Sequence, residues 1–277
     1  MEETGLTHQE DTIIIEGKGS AGMDSVNQTL YIPLYGKAYV SRLGIILHDP
    51  KAEEIWAKEG FPLKGKSRSK WLAYYMGMRV AVFDRWTIAQ MEADPGAVIL
   101  HIGCGLDSRC ERVGTRGHLW FDIDFPDVIA ERKRWYQENE NYRMLCADVT
   151  DSAWLEAVPG GSAIVMMEGV SMYLHPEALK QTLDRIAAHF DRICLLMDCY
   201  TTFAAKASRY KNPINDVGVT LVHGLDDPTA IEGFVREIEM TPAELIEVLP
   251  GLARRIFRHV FAGRFAKKMY RMYEYRR

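Results

Sequence analysis

The sequence predicts an α/β fold: a Rossmann-like, seven-stranded, mostly parallel sheet with helices on both faces, a helical cover before it and an insertion after its fifth strand. Three observations predict it. Five short apolar runs, at 97–102, 118–123, 142–147, 163–168 and 193–198, alternate with helical stretches. Such runs suit strands covered on both faces. A glycine turn, Gly103-Cys104-Gly105, follows the first run, at the edge where open α/β sheets bind ligands. Three successive runs then end in acids at that edge: Asp122 and Asp124, Asp148, and Glu168.

In chain order, residues 1–26 are polar and glycine-containing and read as a loose arm. From Thr29 to Met91 the pattern is mostly helical. Ser69 is placed to cap a long helix in which Trp71, Leu72, Tyr75, Met78, Val82, Phe83, Trp86 and Ala89 recur at three- and four-residue steps. Asp94-Pro95-Gly96 ends it with a turn. In the alternating core, Pro126 and Pro176 mark helix starts. Residues 201–240 break the rhythm and read as a lid-like insertion. Thr241-Pro242-Ala243-Glu244 predicts a helix with Thr241 as N-cap, and RIFRHVF and MYRMYEYRR predict two closing strands. The division expected is an arm (1–26) and one domain (27–277): helical cover 27–92, ligand-binding core 93–200, insertion 201–240, closing helix and strands 241–277.

Composition excludes several functions. The 277 residues are 47% hydrophobic and 26% charged, with a net charge of −4, which argues against a phosphate-tracking, nucleic-acid-binding protein. The basic C-terminal stretch from Arg254 reads as a solvated face. No apolar run is long enough to span a membrane, and the acidic N-terminal stretch is no secretory signal, so no membrane partner is expected. Five cysteines, an odd number, fit reduced thiols in a cytoplasmic protein, and Cys104 and Cys110 lack a zinc spacing, so no metal is expected.

The glycine turn alone is a weak signal. Glycines there permit close approach to the backbone, and the next helix offers unpaired N–H groups. A carboxylate 19 or 21 positions after Gly103, Asp122 or Asp124, can accept both ribose hydroxyls of an adenosine. Asp107 and Ser108 stand where a dinucleotide fingerprint wants a small residue and a diphosphate grip. An acid there opposes a diphosphate but suits S-adenosylmethionine, whose sulfonium and ammonium are cationic. No Gly-x-x-x-x-Gly-Lys-Ser/Thr loop is present.

Taken together, TLYIPLYGKA (29–38), GMRVAVFDR (77–85), VILHIGCGLDSRCERV (98–113), WFDIDFPDVIAERK (120–133), CADVTDSAW (146–154) and MEGVSMYL (167–174) resemble the leucine carboxyl methyltransferase family, in its bacterial polyketide-type O-methyltransferase branch. The resemblance implies an S-adenosylmethionine-dependent enzyme releasing S-adenosylhomocysteine. It implies that Gly103 and Gly105 pass beneath the methionine part, Asp124 holds the ribose, Asp148 and Val149 flank the adenine, and Glu168 faces the amino group. Arg79 would pair with the donor's carboxylate or a substrate acid, Lys37 is a second candidate, and Tyr173 would point into the transfer pocket. Protein-modifying members carry an Asn-Arg-Gly-Tyr-like stretch where residues 71–77 here read WLAYYMG, without the arginine. A small-molecule acceptor is therefore the leading expectation, with a protein C-terminus or a non-catalytic adenosyl-binding role as alternatives.

Methyl transfer is an in-line displacement that needs alignment and no covalent enzyme intermediate. A carboxylate acceptor is already ionised at neutral pH. A hydroxyl acceptor would be helped by a base such as His175, His223 or a tyrosine. Phe203, Tyr210, Leu221, Val222 and Phe234 from the insertion, and Tyr31, Tyr35, Tyr39, Tyr74 and Tyr75 from the cover, are candidate walls for an apolar acceptor. His101 reads as a hydrogen-bonded core residue.

Overall fold

The computed structural model describes residues 27–59, 61, 63, 65–208 and 221–277. The expected arm and Tyr210 lie outside them. Five parallel strands come first: β1 (Val98–Ile102), β2 (Trp120–Asp124), β3 (Tyr142–Cys146), β4 (Ser162–Met167) and β5 (Arg192–Tyr200). Two more, β6 (Phe234–Ile238) and β7 (Tyr270–Arg276), complete a seven-stranded sheet in the order β3-β2-β1-β4-β5-β7-β6, with β7 antiparallel to both neighbours. The seven-stranded, mostly parallel fold expected from sequence is the one observed.

Two closing elements differ from expectation. RIFRHVF is helical: α9 (Gly251–Ile256) runs into a π-helical turn, Phe257–Phe261. Its strand is supplied instead by β6, which lies inside the stretch read as insertion. The alternation of Phe257 and Phe261 is a four-residue step, and the two rings stack with centroids 4.2 Å apart, a helical contact. The helix after Thr241 is α8 (Ala243–Glu247), capped by Pro242 without a side-chain bond, so Thr241 is not its N-cap.

The cover is helical as expected: α1 (Tyr31–Arg42), α2 (Pro50–Lys58) and α3 (Lys70–Ala93). Ser69 Oγ accepts from Leu72 N at 3.2 Å and starts α3; Asp49 Oδ1 accepts from Ala52 N at 2.9 Å and starts α2. In the core lie α4 (Arg109–Val113), α5 (Pro126–Arg132), α6 (Pro176–His189) and α7 (Thr202–Ser208).

The period of two along each strand sorts the sheet into two faces. Val98, Leu100, Ile102, Val165, Met167, Leu195 and Met197 pack on one side, with Leu179, Leu183 and Ile186 of α6. Ile99, Trp120, Ile164, Met166, Leu196 and Met272 pack on the other, under Leu34, Met78, Phe83 and Trp86 of α1 and α3. The same parity puts His101, Asp122, Asp124, Glu168, Asp198 and Tyr270 on the cover side, where the cover helices supply cations.

Gly103 shows why the first turn needs glycine. Its φ is +67°, and a Cβ there would meet Val170 Cγ2 at 2.2 Å, so the β1 turn and the turn after β4 touch. Gly105, at φ +50°, would bring a Cβ to 3.3 Å from Leu30. The glycines thus serve left-handed backbone and turn-to-turn packing as well as ligand approach. Gly103→Ala is expected to destabilise the fold by about 3 kcal/mol, from left-handed strain plus overpacking. Urea unfolding measures it; an unchanged midpoint would refute the packing account.

Candidate active site

A cavity of about 1100 Å³ opens at the carboxyl ends of the parallel strands, beneath α1 and α3. Lys37, Arg79, Gly103, Gly105, Asp124, Asp148, Val149, Glu168 and Tyr173 all line it. His175 does not. It is exposed and caps α6, its Nδ1 accepting from Glu177 N at 3.4 Å, and its ring sits 5.2 Å from that of His223. The catalytic part expected of His175 is not supported by this placement, because the fourth strand's turn carries Tyr173 inward and His175 outward.

The two acids of β2 separate cleanly. Asp122 is fully buried and all its acceptor capacity is used: Trp120 Nε1 (2.8 Å) and His101 Nδ1 (3.0 Å) on one oxygen, the Tyr142 hydroxyl (2.6 Å) and Arg132 on the other. Burial works against its charge, but Arg132 and the hydrogen bonds prevail and hold the carboxyl down at about 2. Asp124, one pleat further out, receives only Gly105 N and Phe125 N among the described residues, each at 2.8 Å, and lines the cavity. Burial pushes its carboxyl above the usual range. It keeps acceptor capacity for a ligand; Asp122 does not.

The inner wall is a buried ion network. Glu168 accepts from Arg79 Nε at 2.8 Å and, through its other oxygen, from Arg109. Arg109 reaches Asp84 (2.7 Å) and Asp107 (3.2 Å), and its Nη1 donates to His101 Nε2 at 3.2 Å. That bond assigns His101 the Nδ1–H tautomer, since a guanidinium only donates. His101 is thus the hydrogen-bonded core residue expected. Asp107 also meets Lys37 at 3.0 Å and Arg112 at 2.7 Å. Burial raises Asp107 and Glu168, but the surrounding cations outweigh it and hold both below the usual carboxylate range. Burial pulls the Lys37 ammonium below its ordinary range, against Asp107. Asp107 is therefore compensated by three cations, and its charge is not what would turn a diphosphate away.

The outer half of the cavity is apolar and aromatic, with Tyr75, Met76, Met172, Tyr200, Phe261, Phe265 and Met269. Of the expected acceptor walls, Tyr75 and Leu221 line it. Tyr31 and Tyr35 instead pack on Phe61 and Trp56, Val222 is buried beside Met172, and Phe203 and Phe234 point to solvent. Two polar residues were not singled out in the sequence: Tyr270, which lines the cavity, and Asp198, at the end of the fifth apolar run, which is fully buried behind it. Asp198 Oδ1 accepts from Gly169 N at 2.6 Å, and Tyr270 donates to Oδ2. The signal for Asp198 was a fourth strand-end acid; Tyr270 sits on a strand whose antiparallel placement no local pattern announces.

A model of the leucine carboxyl methyltransferase family matches residues 26–187, more than half of the chain. The chain belongs to the leucine carboxyl methyltransferase family. It is 30% identical over 216 residues to the tetracenomycin polyketide synthesis O-methyltransferase TcmP of Streptomyces glaucescens, covering 77% of this chain and 80% of that one. It is 26% identical over 242 residues to the S-adenosyl-L-methionine-dependent methyltransferase dpfgK of Gibberella zeae, covering 79% and 81%. The fold is also similar to magnesium protoporphyrin IX methyltransferase (ChlM) from Synechocystis PCC 6803 with bound SAM, with 14% identity, a TM-score of 0.45, and coverage of 94% of this chain and 100% of that one. As a leucine carboxyl methyltransferase family member the chain is a methyltransferase whose donor is S-adenosylmethionine. The expected donor-site residues, with Tyr173 and His175, fall within the family-matched span; His223, the candidate walls from the insertion, Asp198 and Tyr270 lie beyond it.

The donor set suits that molecule: an acid with open acceptor capacity on a strand end, a wall rich in carboxylates, and a cationic side chain at the same end. Among the described residues no group of three or more His, Cys, Asp or Glu could hold a metal ion, and no helix is long and apolar enough to cross a membrane.

Asp122 carries a pH signature. Its pairing depresses the carboxyl from the usual 3.8 to about 2, so its stabilisation is complete above 3.8 and is lost as pH falls through about 2. The expected loss is about 2.5 kcal/mol in full, at about 1.4 kcal/mol for each pH unit between 3.8 and about 2, and about 2 kcal/mol of it is reached at pH 2. Urea midpoints at pH 5 and pH 2 should differ in that sense for the wild type, and by less in Asp122→Asn. Equal differences in both proteins would refute the assignment.

Proposed function

We propose that this methyltransferase moves the methyl group of S-adenosylmethionine to an oxygen of a small, apolar, aromatic acceptor. One observation carries the reading: a single cavity, at the upper end of small-ligand pocket volumes, joins the charged strand-end wall to the aromatic half. The relatives named for tetracenomycin polyketide synthesis and for S-adenosylmethionine dependence support it.

The donor half is read from the family resemblance, which the lining of the cavity supports. Asp124 takes the ribose hydroxyls, Asp148 and Val149 flank the adenine, Gly103 and Gly105 form the floor, and Glu168 faces the amino group. Arg79 and Lys37 supply positive charge for the carboxylate. When bound, the donor supplies an electrophilic methyl on a sulfonium. The protein's own task is to hold the acceptor oxygen in line with it and keep water out.

Among the described residues that line the aromatic half there is no histidine. Burial pushes the hydroxyls of Tyr75 and Tyr173 well above the ordinary tyrosine value, which makes them hydrogen-bond donors and poor bases. Glu168 is held ionised by two arginines and is a poor base as well. An acceptor that arrives ionised, a carboxylate or an acidic phenol, fits this set, with Tyr173 as a donor that orients it.

Asp124→Ala should weaken S-adenosylhomocysteine binding about 30-fold by isothermal titration, as a loss of charge-assisted ribose hydrogen bonds. Unchanged affinity would remove the ribose assignment. His175→Ala should leave kcat within about twofold by labelled-methyl assay, an effect under 0.5 kcal/mol; a hundredfold fall would restore it as the base.

A further inference from the structure

Arg79, on α3, is held at two of its three nitrogens. Nε donates to Glu168 at 2.8 Å. Nη1 donates to the Tyr270 hydroxyl at 3.1 Å and lies 3.4 Å from Asp198 Oδ2. The Tyr270 hydroxyl itself donates a hydrogen bond to that same Asp198 oxygen. Nη2 makes no hydrogen bond to the described residues, and Gly169 lies beside it: a Cβ there would sit 3.5 Å away. Arg79 and Gly169 both line the cavity.

A guanidinium is planar, so fixing Nε and Nη1 fixes the direction of Nη2. Without the Tyr270 hydroxyl, Arg79 keeps its bond to Glu168 and the longer 3.4 Å ion pair with Asp198, so its plane is held less firmly. The Tyr270 ring meanwhile faces the other half of the cavity. It meets Tyr75 edge-on at 5.9 Å and Tyr200 at 5.4 Å. One side chain from β7 therefore touches both halves by different atoms.

We propose that Tyr270 is a positioning residue: with Asp198 it sets the plane of Arg79 so that Nη2 presents to the donor's carboxylate, while its ring walls the acceptor half. The inference rests on the donor reading above. It predicts that the hydroxyl and the ring of Tyr270 have separable effects.

The test is titration of Tyr270→Phe with S-adenosylhomocysteine and with 5′-deoxy-5′-methylthioadenosine, which has the adenosine and the thioether but no amino-acid carboxylate. The expected result is about tenfold weaker binding of the first, from a lost bond to a charged group, and unchanged binding of the second. In steady-state assays Tyr270→Phe raises the donor KM and leaves the acceptor KM in place; Tyr270→Ala raises both. Equal losses for the two ligands, or no loss for either, would overturn the proposal. If Tyr270→Phe fails to melt cooperatively, Asp198→Asn should give the same ligand-selective loss, and an unselective one overturns it. A wild-type protein that binds neither ligand overturns the donor reading, and this proposal with it.

Discussion

Arg109 is the contact on which the inner wall depends. It is fully buried and meets acids from three elements: Asp84 from α3, Asp107 from the β1 turn, and Glu168 from the end of β4. Each of those acids meets a second cation: Arg112 for Asp84, Lys37 and Arg112 for Asp107, Arg79 for Glu168. Truncating Arg109 would leave carboxylates buried with fewer compensating charges, a costly change even where the intact pair contributes little net stability. What the network supplies is placement. It ties the cover helices to the strand ends, so the cavity's floor and roof keep their spacing.

The alternation along the strands explains why so many charges meet there. Each strand offers one face to α6 and its apolar partners, and the other to α1 and α3. Toward the carboxyl edge the second face changes from Ile99, Ile164 and Leu196 to His101, Glu168 and Asp198. The sheet is apolar where it is only packed and polar where it meets the cavity. Within that face Asp122 and Asp124 stand two residues apart, yet one is saturated by protein partners and the other retains capacity for a ligand.

Much of this was legible in the residues. The five parallel strands, the long helix capped by Ser69, and the gathering of nine of the ten expected site residues in one cavity follow from local pattern and from family motifs. His175 lies outside the cavity because a residue at a strand lip faces either way, and sequence adjacency to Tyr173 does not choose. MYRMYEYRR is the strand expected, but RIFRHVF is not, for another reason. RIFRHVF has an aromatic spacing that serves a helix or a strand, and only packing on α3 decides it. Tyr270 was invisible because its partners, Arg79 and Asp198, lie 191 and 72 positions away.

The strand order carries a kinetic consequence. β6 precedes β7 in the chain but lies outside it in the sheet, so β6 joins the sheet only through β7. Docking of β7 on β5 closes a loop of about 70 residues between Tyr200 and Tyr270, and such non-local pairing is slow compared with the βα units that build β1 to β5. The parallel core, with its turn and strand-end acids, therefore assembles first as a partial sheet with an open edge at β5. An exposed edge invites pairing with other chains, so refolding yield should be governed by how quickly the hairpin-like β7–β6 pair covers it.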